Sequence, residues 1–207
     1  MKVLTVIPQM IKGTVEITEK NAELGAFFIV CGAIGNDIRC VCDDFDYRNK
    51  YKEFFETVEK IGCEVEYFDD GFKVRKSANM TGKIIEYDDI SGNLPAIAIL
   101  CAFCNGESRI KGIPMSERKN LSGIASELSH LGVKSEITSD GILINGNQIL
   151  RCDGTYVWNN PYLAMALVVA GSRCEGELRI MGTEEFESDV FNEFMRIYDK
   201  LIKESVK

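Results

Sequence analysis

The sequence predicts an α+β fold, a single domain assembled from three copies of one βαβαββ unit, and three observations carry the prediction. Long segments fall into register when the chain is slid along itself by seventy residues. Each copy contains an almost wholly apolar run of about a dozen residues, longer than a typical strand and free of charge, which reads as a helix buried on all sides. An Asp-Gly pair flanked by alternating apolar residues occurs at Asp70-Gly71 and again at Asp140-Gly141, the signature of a hairpin.

The register is continuous. Phe54 lies over Ile124, Val58 over Leu128, Ile61 over Leu131, Gly62 over Gly132 and Glu66 over Glu136. A further step of seventy brings Arg39, Arg109 and Arg179 into line, with Asp37, Glu107 and Glu177 two positions before them. Taken in order, each unit opens with a short strand such as Thr14–Ile17. The buried helices follow at Leu24–Ile34, Leu94–Cys104 and Leu163–Ser172. Strands come next at Ile38–Cys42, Ser108–Lys111 and Leu178–Met181. Amphipathic helices span Tyr47–Ile61, Glu117–Leu131 and Glu185–Leu201, with apolar residues three and four apart and charges between. Gly62 and Gly132 stand where a left-handed C-cap is wanted. The hairpin closes the unit, its Asp-Gly suited to the positive φ angles of a type I′ turn.

The third unit reaches Lys207 before any hairpin. The β-branched segment KVLTVIP (2–8) is the expected donor of its missing strand. Three units in one domain are thus expected at about 13–80, 81–150 and 151–207 plus 2–8, with no linker between them.

Composition narrows the function classes. The chain has 207 residues, 45% hydrophobic and 27% charged, which suits a soluble domain with a core of its own. No apolar run approaches a membrane span, the N-terminus lacks a signal-peptide pattern, and a cytoplasmic location is expected. A formal charge of −8 argues against a nucleic-acid partner. Eight cysteines lie mostly in apolar runs and read as reduced packing residues; Cys101-x-x-Cys104 lacks the further ligands a zinc site needs, and neither metal nor cofactor is expected.

Several segments resemble the enolpyruvyl transferases, the family of EPSP synthase and UDP-N-acetylglucosamine enolpyruvyl transferase. LTVIPQMIKGTVEI looks like the family's opening. KNAEL at Lys20–Leu24 is similar to a KNA-x-L motif whose lysine and asparagine contact phosphate and substrate. IPMSERKNLSGIASELSHLG resembles W-R-V-K-E-T-D-R-L…ELRKLG, and WNNPYLAMAL resembles Y-N-D-H-R-MAMA. The resemblance covers nearly the whole chain and half of such an enzyme. It implies an inside-out α/β barrel of three units, and carboxyvinyl transfer from phosphoenolpyruvate to a phosphorylated acceptor, as in aromatic amino acid biosynthesis. The implied ligand is a small anion, and the implied partner is a second such domain or a second copy of the chain as a homodimer. It points to Glu117 as catalytic, and to Lys20, Asn21, Arg118, Lys119, Asn159 and Asn160 as substrate-binding.

The same segments depart from the family pattern where cations belong. Ser116 and Asn120 replace a lysine and an arginine; Asn160, Pro161 and Tyr162 replace Asp, His and Arg; a late lysine falls on Glu185 and a substrate-site aspartate on Gly92. Each charged hydrogen bond contributes on the order of 1.5–3 kcal/mol, so losing several dismantles a site for a trianion. Two readings follow: transfer only when a second domain or subunit completes the site, or an inactive binding or regulatory module that keeps the fold. The site residues also have structural readings. Lys20 and Asn21 suit a helix cap, Glu117 suits a helix N-terminus, Trp158 and Tyr162 suit packing, and the three arginines suit ion pairs with the acids two positions earlier.

Overall fold

The computed structural model describes residues 3–90, 93–147, 149–152, 155–157, 160–181 and 188–206. Strand β1 (Val3–Val6) is followed by β2 (Lys12–Glu16), helix α1 (Gly25–Ala33), β3 (Asp37–Val41), α2 (Tyr47–Lys50), α3 (Lys52–Ile61) and the hairpin β4 (Glu64–Phe68) and β5 (Gly71–Arg75). The next stretch runs β6 (Ile84–Glu86), α4 (Leu94–Ala102), β7 (Asn105–Lys111), α5 (Arg118–His130), β8 (Lys134–Ile137) and β9 (Gly141–Asn147). The last holds β10 (Thr155–Val157), α6 (Pro161–Gly171), β11 (Leu178–Met181) and α7 (Asp189–Ser205).

Two sheets have the same order, β2-β3-β5-β4 and β6-β7-β9-β8. In each, a parallel pair is joined across a buried helix, and a hairpin adds two antiparallel strands. The third sheet is β1-β11-β10. There β10 and β11 form the parallel pair, and β1 takes the antiparallel place beside β11, with Val3 opposite Met181 and Val6 opposite Leu178. Among the described residues the strands hydrogen-bond only within these three sheets. The α+β class expected from sequence is found as three separate open sheets, with no closed strand barrel among the described residues.

The helices α1, α4 and α6 pack against one another, and from Ala26, Ala96 and Leu163 onward every residue in them is buried. Apart from Tyr162 at the start of α6 they carry no strongly polar side chain, so uniform apolarity holds them inside. Against this core α3 lays Phe54, Phe55, Val58 and Ile61, α5 lays Leu121, Ile124 and Leu128, and α7 lays Phe191, Phe194 and Leu201. Phe194 meets Phe27 and Phe28 at ring separations of 6.1 and 5.5 Å.

Three local expectations change. The helix expected over Tyr47–Ile61 is broken at Tyr51, whose φ of −111° leaves the helical region and whose hydroxyl donates to the Ala22 carbonyl. Helix α7 starts at Asp189, where the Ser188 hydroxyl accepts from the Phe191 N–H at 3.4 Å; Glu185 lies outside the described residues. In the hairpins, glycine is not a central turn residue. Phe68 pairs with Gly71 around Asp69-Asp70, and the Thr138 N–H donates to the Gly141 carbonyl around Ser139-Asp140. Gly71 and Gly141 begin the returning strands, where a Cβ would lie 1.9 and 1.8 Å from the carbonyl oxygens of Cys40 and Ile110. Close approach of two backbones, not turn geometry, requires glycine there.

The arginine pairings are corrected too. Arg39 and Arg109 reach across to the turn residues Asp70 and Asp140 rather than to Asp37 and Glu107. Asp37 instead pairs with Lys73, the cross-strand neighbour of Arg39. Arg179, whose sheet has no such turn among the described residues, pairs with the acid two positions earlier, Glu177, at 3.2 Å. All eight cysteines are free, and burial pushes the Cys31 and Cys101 thiols up to about 12, which keeps them protonated. No helix among the described residues is long and apolar enough to cross a membrane.

Candidate functional site

The three buried helices begin on the same cleft, a cavity of about 490 Å³. Ala22 and Glu23 reach it from just before α1, Asn93, Leu94 and Pro95 from the start of α4, and Asn160 and Tyr162 from the start of α6. The amphipathic elements supply the other walls: Lys50, Tyr51 and Phe54 from α2 and α3, and Glu117, Asn120 and Ile124 from α5 and its N-terminal boundary.

Two pairs of polar side chains in the cleft are bonded to each other. The Tyr162 hydroxyl donates to Glu23 Oε2 at 2.9 Å, and its ring stacks on Phe27 at 6.4 Å. Burial, with Glu23 beside it, raises the Tyr162 pKa above its ordinary value. Asn120 Nδ2 donates to Glu117 Oε2 at 2.9 Å. Asn160 caps α6: its Oδ1 accepts from the N–H groups of Tyr162 at 3.0 Å and Leu163 at 3.2 Å. Lys50 is the one lysine or arginine lining the cleft among the described residues.

Of the residues the sequence singled out, Glu117 and Asn160 line this cleft. Lys20 and Asn21 line an adjoining groove of about 300 Å³ with Thr18, Asp189 and Glu193, and Glu23 borders both cavities. Asn21 Oδ1 accepts from the Thr18 N–H at 2.8 Å, which gives it the capping role open to it from sequence. Arg118 sends Nε toward the Ile113 carbonyl at 3.4 Å and Lys119 is exposed; neither lines the cleft. Asn159, like Trp158 and Gly92, lies outside the described residues. Glu23, Lys50, Tyr51 and Asn93 were not singled out from sequence. Yet seventy residues separate Glu23 from Asn93, Lys50 from Asn120 and Phe54 from Ile124, so the spacing of the units marked matching cleft positions before any coordinates.

Solved structures share this fold. An enolpyruvyl transferase, NikO from Streptomyces tendae, superposes with a TM-score of 0.70 at 16% identity, over 88% of this chain and 42% of that one. EPSP synthase from Acinetobacter baumannii superposes with a TM-score of 0.71 at 21% identity, over 92% of this chain and 46% of that one. The fold is therefore that of the enolpyruvyl transferase structures. The family model for EPSP synthase (3-phosphoshikimate 1-carboxyvinyltransferase) matches residues 5–196, and the chain belongs to that family. Among curated relatives, the 3-phosphoshikimate 1-carboxyvinyltransferase of Clostridium novyi is 26% identical over 200 residues, covering 91% of this chain and 46% of the relative. That of Methanococcus maripaludis is 28% identical over 163 residues, 77% of this chain and 38% of the relative. The chain thus spans less than half the length of these relatives.

Proposed function

We propose that this chain forms one wall of a two-walled ligand site of the enolpyruvyl transferase type, and that alone it binds without transferring a carboxyvinyl group. Its three units, about 13–80, 81–150 and 151–207 plus 2–8, act as one domain in the cytoplasm. They aim three helix starts at one ligand, with Glu117 and Asn160 in contact with it. The observation that carries this reading is the cleft itself, on which α1, α4 and α6 all open while Lys50 is its only lining lysine or arginine among the described residues. Transfer from phosphoenolpyruvate requires cations to hold a phosphate and a carboxylate, and this wall supplies too few. Arg118, Lys119 and Lys20 stand off the cleft, so they do not make up the deficit from within the chain.

Calorimetric titration of the purified chain with shikimate 3-phosphate and phosphoenolpyruvate gives no heat at millimolar ligand and no phosphate release on this reading. Micromolar binding of the pair, or phosphate release, contradicts it. The second reading, a transferase completed by another domain or subunit, is favoured by coverage of less than half of each relative. On that reading, adding the complementary three-unit half restores phosphate release.

A further inference from the structure

From the donors and charges of the cleft we infer that its ligand is a neutral cyclic polyol, an unphosphorylated ring carrying hydroxyl groups, rather than a phosphate ester; the inference rests on the cleft being the ligand wall. A helix start holds an anion through free backbone N–H groups. Here most of those donors are spent at α1 and α6, and one is missing at α4. The α6 start has Pro161, which has no N–H, and the next two N–H groups are taken by Asn160 Oδ1. The α4 start carries Pro95, and the Gly25 N–H at the α1 start is bonded to the Ala22 carbonyl.

Charge points the same way. Among the described residues the charged side chains lining the cleft are Glu23, Glu117 and Lys50, so a phosphate dianion would meet two carboxylates against one ammonium. What the walls offer instead is a balanced set for hydroxyl groups. Glu23 and Glu117 each accept from a neighbour through Oε2, and a carboxylate has a second oxygen that can accept from a ligand O–H. Carboxamides and the Lys50 ammonium donate to hydroxyl oxygens. The Tyr162 ring, at 40% exposure, suits the C–H face of a ring, with the buried Phe54, Leu94 and Ile124 forming the floor beneath.

The test is an amide NMR titration of the whole chain with myo-inositol and glucose, and in parallel with their monophosphates. The neutral rings are expected to shift the amides of Glu23, Leu94, Glu117 and Asn120, with the phosphate esters binding at least tenfold more weakly. A Glu23→Gln, Glu117→Gln double variant, its fold checked by its own spectrum, is expected to reverse that order. Tighter binding of the esters at the same amides overturns the polyol inference and leaves the cleft as the ligand wall. Shifts confined to amides away from the cleft overturn the ligand-wall reading itself. Silence of every probe overturns the polyol inference.

Discussion

The sheets built on β3 and β7 differ from the one built on β11 in where the antiparallel strand comes from. In the first two it comes from the hairpin later in the same unit, Arg39 facing Lys73 and Ile110 facing Ile142; in the third it comes from β1, about 175 residues earlier in the chain. The ion pairs follow that difference. Arg39 and Arg109 find the turn aspartates Asp70 and Asp140, whereas Arg179 turns to Glu177 on its own strand. A local hairpin therefore supplies both a strand and the counter-ion for its neighbour, while the distant β1 supplies the strand alone. The comparison also bears on the cleft, because α6, which brings Asn160 and Tyr162 to it, is the crossover helix of the sheet that β1 closes.

The sharpest way to break the comparison is to disable the distant strand. Val6 is 3% exposed and faces the core, so Val6→Asp buries an unpaired charge and is expected to cost at least about 3 kcal/mol in urea unfolding. Unchanged stability would mean that β1 is dispensable. Next in size are the local hairpins: Gly141→Ala drives a methyl into the Ile110 carbonyl and is expected to cost about 1–3 kcal/mol, read as a lowered thermal midpoint. Gly132→Val isolates conformation from crowding, since φ is +77° and nothing lies within 4 Å of a built Cβ. It is expected to cost more than about 1 kcal/mol, and an unchanged melting curve refutes the left-handed placement.

The smallest effects belong to the ion pairs. Lys73 holds the Asp37 carboxyl below its ordinary pKa of 3.8. A depressed carboxyl stabilises the fold above its unfolded pKa, and that contribution is lost as pH falls through the folded value. Asp37→Asn is therefore expected to flatten stability against pH below about 4, with little change at neutral pH, where exposed pairs contribute about 0–1 kcal/mol. An acid limb identical in the two proteins removes the pair from the account.

Features set by local pattern were legible in the sequence. The buried helices fall within one or two residues of their apolar runs, both hairpins are present, and Val3–Val6 of the KVLTVIP segment pair with β11 in the C-terminal third. Features set by register between distant strands were not. The partners of Arg39 and Arg109 depend on which residue a neighbouring strand places opposite, and the need for glycine at 71 and 141 depends on a carbonyl contributed by another strand. At the site, the motif residues Glu117 and Asn160 reached the cleft. Arg118 and Lys119, adjacent in sequence, did not, because successive helical positions point about 100° apart. Glu23 fell on the unspecified position of KNA-x-L and Lys50 on no motif, and only their seventy-residue spacing from Asn93 and Asn120 hinted at a shared role.

The measurement that bears most directly on the architecture is an NMR search for cross-strand nuclear Overhauser contacts between Val3–Val6 and Leu178–Met181. The account predicts contacts joining Thr5 to Arg179 and Val3 to Met181, with slowed amide exchange along β1. Absence of those contacts, with β1 amides exchanging as fast as an unfolded peptide, would contradict it.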